Sequence, residues 1–137
     1  MNLLQKPKTV YLRAFNTHFF EFLETSILFI PENDNIIGYK TSVQFIKNAN
    51  PTTIIKAWYL HIVEPYSAQI NEGKYDFFLE KDYSNDLLYT GSTKVGVLKI
   101  IDEIRTSIKL LDKEQIDKLL TYIQNLSRLS DEYHKQF

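Results

Sequence analysis

Apolar residues spaced by three and four through the last third of the chain constrain the fold more than any other feature. Val97, Ile101, Ile104, Ile108 and Leu111 advance by four, three, four and three. Ile116, Leu119, Ile123, Leu126, Ser130 and Tyr133 carry the same rhythm onward. Steps of that size put side chains on one face of an α-helix. Between the two series, Asp112 and Gln115 have the spacing of a capping box, with Asp standing where Ser or Thr is usual. So short a turn leaves two roughly antiparallel helices, and the spacing predicts a C-terminal helical hairpin.

The first third follows the same rule. From about Val10 to Ile30, Leu12, Phe15, Phe19, Phe22, Leu23 and Ile27 fall on one side of a helix that Pro31 ends. A second helix is expected from about Ile36 to Ala49, with Val43 and Ile46 facing the core and Phe45 at its edge. Residues 1–9 are expected to form a short flexible arm, in which Pro7 opposes regular structure.

The stretch from Asn50 to Ser84 joins these flanks and holds Trp58, the one tryptophan. Asn50-Pro51 reads as a helix start, because Asn caps free N–H groups and proline has none to satisfy. Ile54, Trp58 and Ile62 then form a stripe that Glu64-Pro65 ends or kinks. A short helix over Pro65–Asn71 is expected to stop at Gly73 in the left-handed conformation. Tyr75 to Tyr83 fits another short helix with Phe77, Phe78 and Leu79 inward. Ser84 to Thr93 reads as the longest loop. Strand alternation, repeats and a domain linker are all missing. The expectation is one all-α domain over residues 10–137, a compact bundle of five to seven helices ending in an antiparallel helical hairpin.

Composition narrows the function. At 137 residues with 44% apolar and 24% charged side chains, the chain matches one ordinary globular domain. Its net charge of −1 lacks the basic excess that gains affinity by releasing counterions from phosphate. Without cysteine there are no disulfides, thiolate zinc sites or thiol catalysis. Phe15–Ile30, the longest apolar region, is interrupted by Asn16, His18, Glu21 and Glu24, which opposes a membrane span. Met1–Lys8 has no secretory signal pattern. A cytoplasmic domain with no membrane association is the expectation.

No linear motif specifies a reaction. His18, His61 and His134 fall on separate predicted helices and form no metal-binding pair. Glu80, Asp82 and Asp86 make the densest acidic cluster, but it lacks the glycine turn and closing Glu of a calcium loop. Gly91-Ser92-Thr93-Lys94 resembles the end of a phosphate-binding loop without its earlier glycine or preceding strand. Arg105, Lys109, Lys113 and Lys118 are interleaved with acids, as in surface pairing. No catalytic residue, cofactor or metal is assigned. What stands out is a surplus of aromatics, 14% of the chain. Tyr66, Phe78 and Tyr83, beside polar neighbours such as Asp82, are the candidates for a protein-interaction surface, since such rings bring large area with a polar tip.

Several short motifs also form a recognisable set. Phe19-x-x-Phe22, Asn50-Pro51, Trp58, Pro65-Tyr66, Phe77-Phe78-x-x-Lys81-Asp82-Tyr83-Ser84 and Tyr122-Ile123-Gln124-Asn125-Leu126 resemble a family of small uncharacterised proteins of nucleocytoplasmic large DNA viruses. The resemblance spans nearly the whole chain after Val10. It implies no known activity, and a place in the cytoplasm, viral factory or virion. The expected function is a non-enzymatic protein-interaction or structural module, acting with a protein partner or by self-association. The alternative is a DNA- or RNA-associated regulator, because a helical domain can lay one helix in a groove.

Overall fold

A computed structural model describes residues 7–83 and 96–136. Among them are seven α-helices and no strand, as the spacing of apolar residues requires. The helices are α1 (Lys8–Phe29), α2 (Asp34–Ala49), α3 (Thr53–Trp58), α4 (Ser67–Asn71), α5 (Phe77–Glu80), α6 (Val97–Thr106) and α7 (Lys113–His134). A π-helical turn, Tyr59–Val63, extends α3, and a 3-10 turn, Ile108–Leu110, follows α6.

The helix α1 begins at Lys8, two residues before the expected start, because Pro7 cannot donate a hydrogen bond yet serves as the residue before the first turn. Residues 1–6 of the expected arm lie outside the described residues, as do the Ser84–Thr93 loop, Asp86 and the Gly91–Lys94 segment. The long helices α1 and α7 are each 22 residues and lie against each other. Lys8 meets Tyr133 and Gln136, while Phe22 and Thr25, further along α1, meet Tyr122. The two helices are therefore antiparallel.

This pairing stands beside the expected C-terminal hairpin of α6 and α7. Its helices and its capping box occur where the spacing put them: Gln115 N–H donates to Asp112 Oδ1 at 2.8 Å, and Asp112 N–H to Gln115 Oε1 at 3.0 Å. But α7 takes α1 as its main partner, and α6 packs instead on α5, α2 and the π turn. The reason lies in the length of the stripes. Among the described helices, only α1 presents an apolar face as long as that of α7, whose Leu119, Ile123, Leu126, Ser130 and Tyr133 are all buried.

Trp58 sits at the centre. Phe15, Phe19 and Phe22 of α1 each set their rings edge-on to its indole, with centroids 6.1, 6.2 and 6.5 Å away. Edge-to-face contacts of this kind match the positive rim of one ring to the negative face of another. Its expected stripe mates Ile54 and Ile62 are fully buried beside it.

The start of α3 is shifted from Pro51 to Thr53. Asn50 does accept the Thr52 N–H through Oδ1 at 3.0 Å, but this bond closes a turn two residues long, which delays the helix. Beyond Trp58, Glu64 N–H reaches back five residues to the Tyr59 carbonyl. Pro65 follows at once; its ring crowds the carbonyl four residues earlier, and the wider turn accommodates that. Gly73 stops the next segment at φ 71°, in the left-handed conformation expected of it.

Candidate functional site

The aromatic segment does not form the expected surface. Tyr66, Phe78 and Tyr83 are buried; of the four candidate residues, only Asp82 is exposed. Tyr66 is the hub: Phe77, Phe78 and Tyr83 lie around it with ring centroids 5.4, 5.8 and 6.3 Å away. The Tyr83 hydroxyl donates to the Phe78 carbonyl at 2.9 Å. A local acceptor thus replaces water, and the ring can enter the core despite its polar tip. Gly73 reverses the chain between Tyr66 and Phe77, and this reversal is the signal from which their packing follows. Asp82 lies 4.0 Å from Arg105, which Asp102 also holds at 2.9 Å.

The histidines remain apart. His18 lies over Tyr122 with centroids 4.6 Å apart. His134 stacks on Tyr59 at 4.0 Å, and its Nδ1 is 2.7 Å from the Ser130 carbonyl, an arrangement that needs the proton on Nδ1. Among the described residues no three His, Asp or Glu side chains converge on one point. Nor is any described helix long and apolar enough to cross a membrane.

Large apolar side chains left in water lie elsewhere. On α2, Ile37 is 41% exposed and Phe45 is 73% exposed. With Ile27 of α1 and with Thr41, Gln44 and Asn48 of α2, they line an open groove of about 520 Å³. Lys40 stands at its rim, where its ammonium meets Glu24 of α1 at 3.4 Å. Every other side chain lining the groove is uncharged.

The same helix buries Ile36 and Val43 on its opposite side. Phe45, two residues past Val43, is rotated by about 200° around the helix from it, so the side chain belongs to the outer face. Sequence reasoning placed Phe45 only at the edge of the core. The available signal was an aromatic standing off the helix's own apolar stripe.

A second depression lies between the π turn and α7. Tyr59, Val63, Ile70 and Tyr75 give it apolar walls, and Glu64 and Arg128 supply opposite charges. Burial raises the Tyr75 phenol above its ordinary range, and the Arg128 charge partly opposes that rise. Acidic and basic groups are balanced here, so the cleft selects neither anions nor cations. Of the two surfaces, the α1–α2 groove is the one whose lining holds large apolar side chains that are themselves exposed, Ile37 and Phe45. Comparison of the chain with protein-family models, with curated proteins and with solved structures found no match.

Proposed function

We propose that the chain is a non-enzymatic protein-interaction module and that the α1–α2 groove is its docking face. One observation carries this reading: Ile37 and Phe45 stand exposed on the same side of α2, beside Ile27. Exposed apolar side chains in a groove whose one charged group, Lys40, is already paired gain free energy when a partner removes them from water. A patch built for nucleic acid would instead array unpaired Lys and Arg. The resemblance to proteins of large DNA viruses supplies the setting: a structural or adaptor role in the cytoplasm of an infected cell, in a viral factory or virion.

Side-chain oxidation footprinting tests the docking face. Phe45 and Ile37 are expected to be reactive in dilute buffer. They become protected either at high micromolar chain concentration or in nuclease-treated cell lysate. Equal reactivity under all three conditions overturns the assignment. Protection that nuclease removes favours the DNA- or RNA-associated reading.

A further inference from the structure

The outer face of α2 carries a symmetry that the docking reading does not require. Taking Thr41 as the centre, Ile37 and Phe45 lie four residues to either side, Gly38 and Gln44 three, and Asp34 and Asn48 seven. At 3.6 residues per turn all seven positions fall within about 60° of Thr41 around the helix. Two copies of α2 crossing antiparallel about a two-fold axis at Thr41 would bring each of these pairs into opposition.

The opposed groups are complementary. Phe45 of one copy meets Ile37 of the other, beside the Ile27 floor of the groove. Thr41 meets Thr41, and a hydroxyl both donates and accepts. Gln44 Nε2 donates to Asn48 Oδ1 at 3.3 Å, which leaves the Asn48 amide N–H groups to donate outward. Opposite them is Asp34, an exposed carboxylate that accepts such bonds. The one cation at the rim, Lys40, is already held by Glu24. With a net charge of −1 per chain, two copies repel each other little.

Gly38 is the independent observation. It lies inside α2, where glycine is the least favourable residue after proline. Its φ is not left-handed, and a Cβ built there would meet nothing within 4 Å. Nothing among the described residues calls for the missing side chain. The open space leaves room for a second helix to come close there, and Ser42, one turn further on, keeps the same edge small.

We infer that a second copy of this chain is the occupant of the groove, in a two-fold dimer with α2 packed against α2. This rests on the docking reading above and deepens it. The test uses sedimentation velocity of the full chain across a concentration series, together with two single-cysteine variants, since the native chain has no cysteine.

The wild-type chain should pass from monomer to dimer as concentration rises. Phe45→Glu should remain monomeric with unchanged helicity, because the side chain is already 73% exposed. Under mild oxidation Thr41→Cys should form a covalent dimer at least tenfold faster than Lys109→Cys, an exposed position on another face. A chain that stays monomeric throughout overturns the inference. So does a dimer that Phe45→Glu leaves intact or that Thr41→Cys cross-links no faster than the control. A monomer whose Phe45 is protected only in lysate defeats the second copy and leaves the docking face standing. A monomer without protection in any condition defeats both.

Discussion

The indole Nε1 of Trp58 donates a buried hydrogen bond of 3.1 Å to Oγ of Ser127, 69 positions further along the chain. Three residues on, Ser130 Oγ donates to the Ile55 carbonyl at 2.9 Å, also buried. Both serines lie on the apolar face of α7, and both reach α3. These two bonds fix the rotation of α7 about its axis where nondirectional apolar packing alone would not. A buried indole that lost its acceptor would keep the full cost of having left water.

Ser127→Ala is therefore expected to destabilise the fold by about 1–3 kcal/mol, the cost of an unpaired buried donor. Urea unfolding followed by circular dichroism, which also reads variants that lack Trp58, the one tryptophan, measures it directly. Trp58→Phe removes the donor together with its need, so adding Ser127→Ala on that background should cost much less. Additive losses in the double variant would show that the bond contributes nothing.

Phe78 and Tyr83 mark the largest difference between the expected and the observed site. As core residues they should be intolerant of truncation. Phe78→Ala is expected to cost about 3–5 kcal/mol, the range for emptying a buried aromatic position. Chemical denaturation with circular dichroism reads the loss. A change below about 1 kcal/mol, the level of an ordinary surface substitution, would return Phe78 to the surface.

What the sequence disclosed and what it withheld divide along physical lines. The faces of α1 and α7 were legible because a long one-sided helix repeats its signal over several turns. The Asp112–Gln115 box was legible because it is a local pair of hydrogen bonds. By contrast, the choice of α1 as the partner of α7 depends on matching two stripes at opposite ends of the chain. Periodicity within one helix carries no record of that. Tyr66 and Tyr83 were misplaced because their polar neighbours in sequence are not their neighbours in space. Phe45 was half legible: it was read at the edge of the core, whereas its angle from Val43 carries it to the outer face, and nothing local sets it beside Ile27. The start of α3 failed by two residues because Asn50 uses its oxygen to close a turn before the helix begins.

Tyr39 should make the protein sensitive to alkali. Its hydroxyl is buried with no hydrogen-bond partner among the described residues, and burial holds its phenol far above the usual range. Below pH about 10 the phenol is neutral in both folded and unfolded chains and contributes no pH dependence. As pH rises through that range the unfolded chain ionises while the folded chain retains its proton, so stability falls. Tyr39→Phe should flatten this decline. At neutral pH it should stabilise the fold by about 1 kcal/mol, because an unpaired buried hydroxyl is removed. Thermal melts of both proteins from neutral to strongly alkaline pH give the comparison. Parallel pH profiles would show that the Tyr39 hydroxyl is hydrated.

Gly38 and Gly73 should respond to alanine with opposite signs. Gly73 has φ 71°, where a Cβ is crowded by its own backbone, so Gly73→Ala is expected to destabilise by about 1–2 kcal/mol. Gly38 has helical backbone and open space around the position of a Cβ. There Gly38→Ala should stabilise the isolated chain by up to about 1 kcal/mol, the difference in helix propensity. If α2 is the dimer face, the same methyl group separates the two backbones, so the variant that melts later should also associate more weakly. Melting temperature measured at low concentration and sedimentation measured at high concentration separate the two effects. A Gly38→Ala chain that gains stability and dimerises as before would show that no second backbone comes close to α2 there.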